Sequence, residues 1–173
     1  MKFAEVQTEK TITIAGVEFI VLEKKDDSVI CLTRDFVFKH KQFDRNSNNY
    51  ANSAVRKMLN DKFLPKLIKA VGAENILDVE IDLTSDDGLD DYGKVTDKIG
   101  LLTDAMYRKY NRIIEKYPVD DWWWLATPYS TPHRGYELLV RCVDFRGTLI
   151  NGRCSINFGV RPFCIFSSAI FES

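Results

Sequence analysis

The chain is poor in cysteine. It has four, Cys31, Cys142, Cys154 and Cys164, and no two of them are spaced C-x-x-C. That removes the sequence signatures of a thioredoxin-like redox pair and of a zinc knuckle. Long apolar runs are missing too. Stretches such as Phe19 to Leu22 and Ile99 to Leu102 fall far below the ~20 residues that span a bilayer. The opening MKFAEVQTEK has neither an apolar core segment nor a small-residue cleavage site, so the expected location is cytoplasmic and the cysteines are expected as free thiols. There is no Gly-rich phosphate loop, no H-E-x-x-H and no G-x-S-x-G. Histidine occurs only twice, and His40, between Lys39 and Lys41, reads as a surface residue.

What is present suits a globular domain. Hydrophobic residues make up 45% and charged residues 28%, and no repeat or low-complexity linker divides residues 1–173. One domain is expected, with an N-terminal β-meander at about residues 10–33 and further strands at about residues 122–166. The net charge of −1 conceals a segregation. Eight acidic residues lie between Ala70 and Gly93 with no Lys or Arg among them, leaving the remainder net basic.

Thr11 to Ile14 and Val17 to Leu22 alternate around Ala15-Gly16, which predicts a hairpin, and Ser28 to Thr33 predicts a third strand. Asn52 or Ser53 can cap a helix whose apolar face is Val55, Met58, Leu59 and Phe63. Leu64, Leu67, Ile68 and Val71 continue it past Pro65 to a stop at Gly72. Ile76 to Asp82 alternates as one strand, and Thr84 to Lys94 is an acidic loop. Thr103 caps a helix from Asp104 to Lys116 with Met106, Tyr110, Ile113 and Tyr117 on one face. Further on, Asn151-Gly152 is a turn signal, and Val160 to Phe166 reads as a last strand in which Pro162 demands an edge or irregular position. Three consecutive tryptophans, Trp122, Trp123 and Trp124, require on a strand that Trp122 and Trp124 share one face and Trp123 take the other.

Around these tryptophans the chain resembles a bacterial and phage domain family of unknown function. Its W-W-L-R-S-P segment reads here Trp123-Trp-Leu-Ala-Thr-Pro128, and its terminal G-V-R-P reads Gly159-Val-Arg-Pro162. Upstream, Leu59-Asn-Asp-Lys-Phe63 and Thr96-Asp-Lys-Ile-Gly-Leu-Leu-Thr103 match two more of its patterns, so the likeness runs from about Asn52 to Ile165. The resemblance implies an α+β, C-type-lectin-like fold similar to the formylglycine-generating enzyme superfamily: a twisted antiparallel sheet, two to three flanking helices and long loops. Two positions depart from it, Ala126 for arginine and Thr127 for serine. The copper-binding cysteine pair of formylglycine-generating enzymes has no counterpart, so their chemistry does not carry over. On this reading Trp122, Trp123, Trp124, Gly159, Arg161 and Pro162 are structural.

The functional expectation is a non-catalytic binding module with a protein partner. The resemblance implies a phage or mobile-element setting, and dense carboxylates at Asp86, Asp87, Asp90 and Asp91 would steer towards a basic surface. A nucleic-acid-binding cleft of a defence nuclease, such as a CRISPR–Cas effector, is one such target. A second reading places a carbohydrate or small ligand in the loops from Tyr129 through His133 and Arg134 to Gly135. A third is a zinc-stabilised or cysteine-reactive protein using His133 and Cys142, Cys154 or Cys164, with Cys154 the exposed thiol. No zinc-ligand spacing supports that site, and the acidic loop lacks the D-x-[DN]-x-[DN]-G pattern of a calcium loop, so no cofactor is expected. Direct nucleic-acid binding through Arg134, Arg141, Arg146, Arg153 and Arg161 has too little overall basicity behind it.

Overall fold

The structure, a computed structural model, describes residues 1–172. It is an α+β fold with two five-stranded sheets and a two-stranded ribbon. The first sheet begins with the expected meander: β1 (Thr11–Ile14), β2 (Val17–Lys24) and β3 (Ser28–Thr33). Ala15 and Gly16 both have positive φ (54° and 73°), the geometry that lets a two-residue turn follow the strand twist. The meander is joined by β5 (Ile76–Leu77) and by β12 (Phe163–Ser167), which lies against β3. The second sheet, in spatial order, is β10 (Leu149–Arg153), β9 (Leu139–Val143), β8 (Trp123–Pro128), β11 (Phe158–Val160) and β4 (Phe38–Lys41). All pairings are antiparallel except β11 on β8, where Gly159 lies opposite Trp123. The architecture is therefore two sheets rather than the single small sheet that the resemblance implies.

Two expectations fail for one reason: apolar alternation continues across points where the chain changes sheet. Ile76 to Asp82 is two strands, β5 in the first sheet and β6 (Val79–Asp82), which pairs with β7 (Lys94–Asp97) as a separate ribbon. Val160 to Phe166 is likewise split at Arg161-Pro162, where the chain passes from the second sheet to the first. Pro162 thus sits at a crossover, and its carbonyl accepts from the Thr33 N–H at 3.0 Å. Asn151-Gly152 is no turn; both residues lie inside β10, paired with Arg141 and Val140. A Cβ at Gly152 would stand 2.6 Å from the Phe158 ring and 3.2 Å from Trp124, so this glycine serves close packing.

The helices follow their caps. Ser53 accepts from the Arg56 N–H and starts α1 (Ala54–Met58), a π-helical turn follows at Leu59–Phe63, and α2 (Leu64–Val71) ends at Gly72. Pro65 has no N–H for the preceding turn, and the helix widens just before it. Thr103 caps α3 (Asp104–Ile114) through the Met106 N–H. Its buried stripe is Tyr107, Tyr110 and Ile114, rotated from the expected face; Met106 and Ile113 flank it half-buried.

The tryptophans divide as strand geometry requires. Trp122 and Trp124 both pack on Phe158, with ring centroids 5.2 Å and 4.6 Å away, while Trp123 takes the other face against Tyr107 at 5.7 Å. Trp124 also donates its indole N–H to the Lys41 carbonyl at 2.9 Å, tying β8 to β4. The buried apolar side chains of both sheets and of the helices form one cluster. No helix among the described residues is long and apolar enough to cross a membrane.

Candidate functional site

The acidic loop connects β6 to β7, and the loop after β8 runs from Tyr129 to Leu138. They lie some forty residues apart in sequence, and the structure joins them into one face. The Asp86 N–H donates to the Pro128 carbonyl at 2.9 Å. The Asp87 carboxylate accepts from the hydroxyls of Ser85 and Ser130, the latter at 2.7 Å, and from Arg134 at 2.6 Å. Asp91 accepts from the Thr131 hydroxyl. Beneath them, fully buried Asn48 donates its amide at 2.9 Å to the carbonyls of Ser130, Tyr136 and Leu139 and accepts from the Tyr92 hydroxyl at 2.6 Å. Every polar atom of that amide is used, so Asn48 sets the spacing of the two loops.

Two predicted groups of residues, the carboxylates and the Tyr129–Arg134 loop, thus belong to one surface. The acidic loop is cross-linked rather than freely solvated. Hydrogen bonds from Ser85 and Ser130, with Arg134 beside them, hold the Asp87 carboxyl down at about 2. Asp90 and His133 are exposed, and Tyr129 packs at a 40° tilt against Tyr136 with centroids 5.3 Å apart, leaving Tyr136 47% exposed. Tyr92 lies near both Asp91 and Glu137, and burial together with these acids raises its phenol above the usual range.

Beside this face lies a cleft of about 190 Å³ whose walls include Asp82, Asp86, Asp104, Arg108 and Thr127. Asp104, the first residue of α3, is buried, and its N–H donates to the Thr127 hydroxyl at 2.9 Å. Arg141 on β9 donates to Asp104 at 3.1 Å and stands 3.8 Å from Asp86; Arg108 reaches Asp86 at 3.3 Å and Asp104 at 3.6 Å. Burial, and the Asp86 carboxyl beside it, push the Asp104 carboxyl up to about 6 against the pull of Arg141. One Asp104 oxygen, Oδ1, is sealed with no partner. Two carboxyls and two guanidiniums thus meet at this cleft.

The cysteines do not meet the requirements for a reactive thiol. Cys154, expected to be exposed because it follows a turn, is fully buried, since its neighbour Arg153 turns outward in its place. Burial raises its thiol, raises Cys142 to about 12, and raises Cys31 and Cys164 as well. Among the described residues no three His, Cys, Asp or Glu side chains converge on one point.

Asn48 and Asp104 are the site residues that pattern reading missed; Ser130 and Thr131 fall inside the predicted loop without a role of their own, and Arg141 enters the sequence reading only as a nucleic-acid contact. Small polar residues in loops are common, and no local spacing announces a contact across eighty or ninety residues. No family model, curated protein or solved structure compared with the chain matches it.

Proposed function

We propose that this protein is a non-catalytic binding module that engages a partner protein through the face formed by its two joined loops, the partner offering a basic surface. The observation that carries this reading is the charge left after the internal links are made. Asp82, Asp90, Asp91 and Glu137 have no salt-bridge partner among the described residues, and Tyr136 lies exposed among the same loops. A face held rigid by hydrogen bonds loses little conformational freedom on binding, and its unpaired carboxylates supply long-range attraction. The resemblance to a phage-associated family points the partner towards a host factor or a defence nuclease such as a CRISPR–Cas effector. The proposed fold is C-type-lectin-like, with the W-W-L strand beside the G-V-R-P crossover and long loops carrying the interaction.

The test is binding to purified basic nucleic-acid-binding proteins, CRISPR–Cas nucleases among them, at low and high salt. Wild-type protein is compared with the double variant Asp90→Lys, Glu137→Lys. Salt-sensitive binding to one partner that the variant loses is expected. No binding across the set, or equal binding by the variant, would sink the reading.

Tyr136, exposed and packed at a tilt against Tyr129, favours a second reading, a carbohydrate or small-ligand site, because an exposed aromatic face can pack against a sugar ring. A glycan array without a Tyr136-dependent hit removes it.

A further inference from the structure

Arg161 is a buried cation without a carboxylate. It is 1% exposed; Nε donates to the Thr33 carbonyl at 2.9 Å, and Nη2 donates to the carbonyls of Arg34 at 2.7 Å and Tyr117 at 3.1 Å. Nη1 makes no hydrogen bond to any described residue, and Arg161 enters no salt bridge among them. The guanidinium lies over the Trp123 ring, 5.1 Å from its centroid. Carbonyl oxygens and a ring face carry only partial negative charge, and Asp35, whose field reaches Arg161, is itself bonded by Arg34 at 3.0 Å, so the positive charge is only partly compensated.

Arg161 also lines a cleft of about 70 Å³, walled by Tyr107, Tyr117 and Trp123. At roughly 10–15 Å³ per water, this holds a few waters or the head of a small organic acid. Phe145 and Arg146, from the turn between β9 and β10, stand at its rim; both are exposed, and Phe145 at 61% is the most exposed large apolar side chain described. Arg146 has no salt-bridge partner among the described residues. The two acids at the cleft are otherwise engaged: Asp144 accepts from the N–H groups of Arg146 and Thr148, and Glu115 lies 3.5 Å from Arg112.

We propose that this cleft binds a small organic carboxylate with an apolar or aromatic tail, its head facing Nη1 of Arg161 and the Arg146 side chain, its tail lying on Phe145. The cleft shares no residue with the joined-loop face. A carboxylate suits it better than a phosphate: the cleft is small, its walls are largely aromatic rings, and one buried guanidinium matches one charge.

Free organic acids and the C-terminal carboxylate of a peptide share this chemistry. The test therefore titrates ¹⁵N-labelled full-length protein, at constant ionic strength and pH, with phenylacetate, phenylacetamide, and a short Phe-ended peptide in free-acid and amidated forms. The Trp123 indole N–H is the reporter. A saturable shift with phenylacetate or the free-acid peptide, absent with both amides, is the expected result; the tighter of the two acids identifies the source. Arg146→Gln, at an exposed position, should weaken binding about three- to tenfold, and Phe145→Ala should weaken it for tailed acids but not for acetate. Equal shifts with acid and amide, no saturation with any acid, or full binding by both variants overturns the proposal. An Arg161→Lys protein that unfolds leaves these outcomes readable.

Discussion

Arg141, on β9, and Arg161, at the crossover that follows β11, are held in opposite ways. Arg141 bonds to Asp104, lies beside Asp86 and donates to the Asn151 amide oxygen at 2.8 Å. Arg161 bonds only to carbonyls from two segments, Thr33-Arg34 and Tyr117, and lies on Trp123. A carboxylate partner can be protonated, so the first cluster responds to pH. Carbonyls cannot, so the second is a fixed cross-link between β3 and the segment leading into β8. One cluster ties the acidic loop to α3 and β9 near the surface; the other fixes how the two sheets meet.

Removing Arg161 should break this contrast hardest. Arg161→Met leaves three carbonyls without their donor and should cost about 3–5 kcal/mol, read by urea unfolding. Arg161→Lys should recover only a small part, since an ammonium cannot span the three acceptors as a planar fork does. A loss under about 1 kcal/mol would show that the cross-link is incidental. The close approach of β10 to β11 is the next largest effect. Gly152→Ala pushes a methyl into Phe158 and Trp124 and should cost about 1–3 kcal/mol in the same urea unfolding measurement.

The pH response should follow Asp104. Its carboxyl titrates near 6 in the folded protein against an ordinary 3.8, so the native state holds that proton more tightly than the unfolded chain. The resulting stabilisation is complete below about pH 3.8 and is lost as pH rises through about 6. Wild-type stability minus that of Asp104→Asn should therefore fall by about 1–3 kcal/mol across this window; a flat difference would remove Asp104 from the switch. Asp87 acts the other way, its contribution present above 3.8 and lost as pH falls towards 2. The smallest effect belongs to the loop links. Asp87→Asn should cost on the order of 1 kcal/mol, seen best as faster hydrogen exchange confined to residues 84–93 and 129–136. Unchanged exchange there would mean that Asn48, the Asp91–Thr131 bond and the Asp86–Pro128 backbone bond hold the loops together without Asp87.

Much of the fold was legible in the sequence where the physics is local. The β1–β2 hairpin follows from Ala15-Gly16 between alternating strands, and the caps at Ser53 and Thr103 follow from the hydroxyl each offers to a first helical turn. The two faces of Trp122–Trp124 follow from strand geometry alone. The sheet change at Arg161-Pro162 was hidden, because alternation is the same whichever sheet a strand joins. Gly152 misled for a related reason: glycine marks a turn and a tight packing contact with the same letter.

The candidate site was legible only in halves. Carboxylate density and the Tyr129–Arg134 loop stand out in the sequence, but their union depends on Asn48, Ser130 and Thr131, whose partners lie forty to ninety residues away. Residue type and spacing determined the strands, the caps, the acidic loop and the aromatic centre, since each depends on neighbours along the chain. Tertiary structure alone decided which carboxylates stay free, which thiols are sealed, and that Arg161 lies buried without a carboxylate beside an open cleft. Charge compensation depends on distance in space, and sequence separation does not encode it.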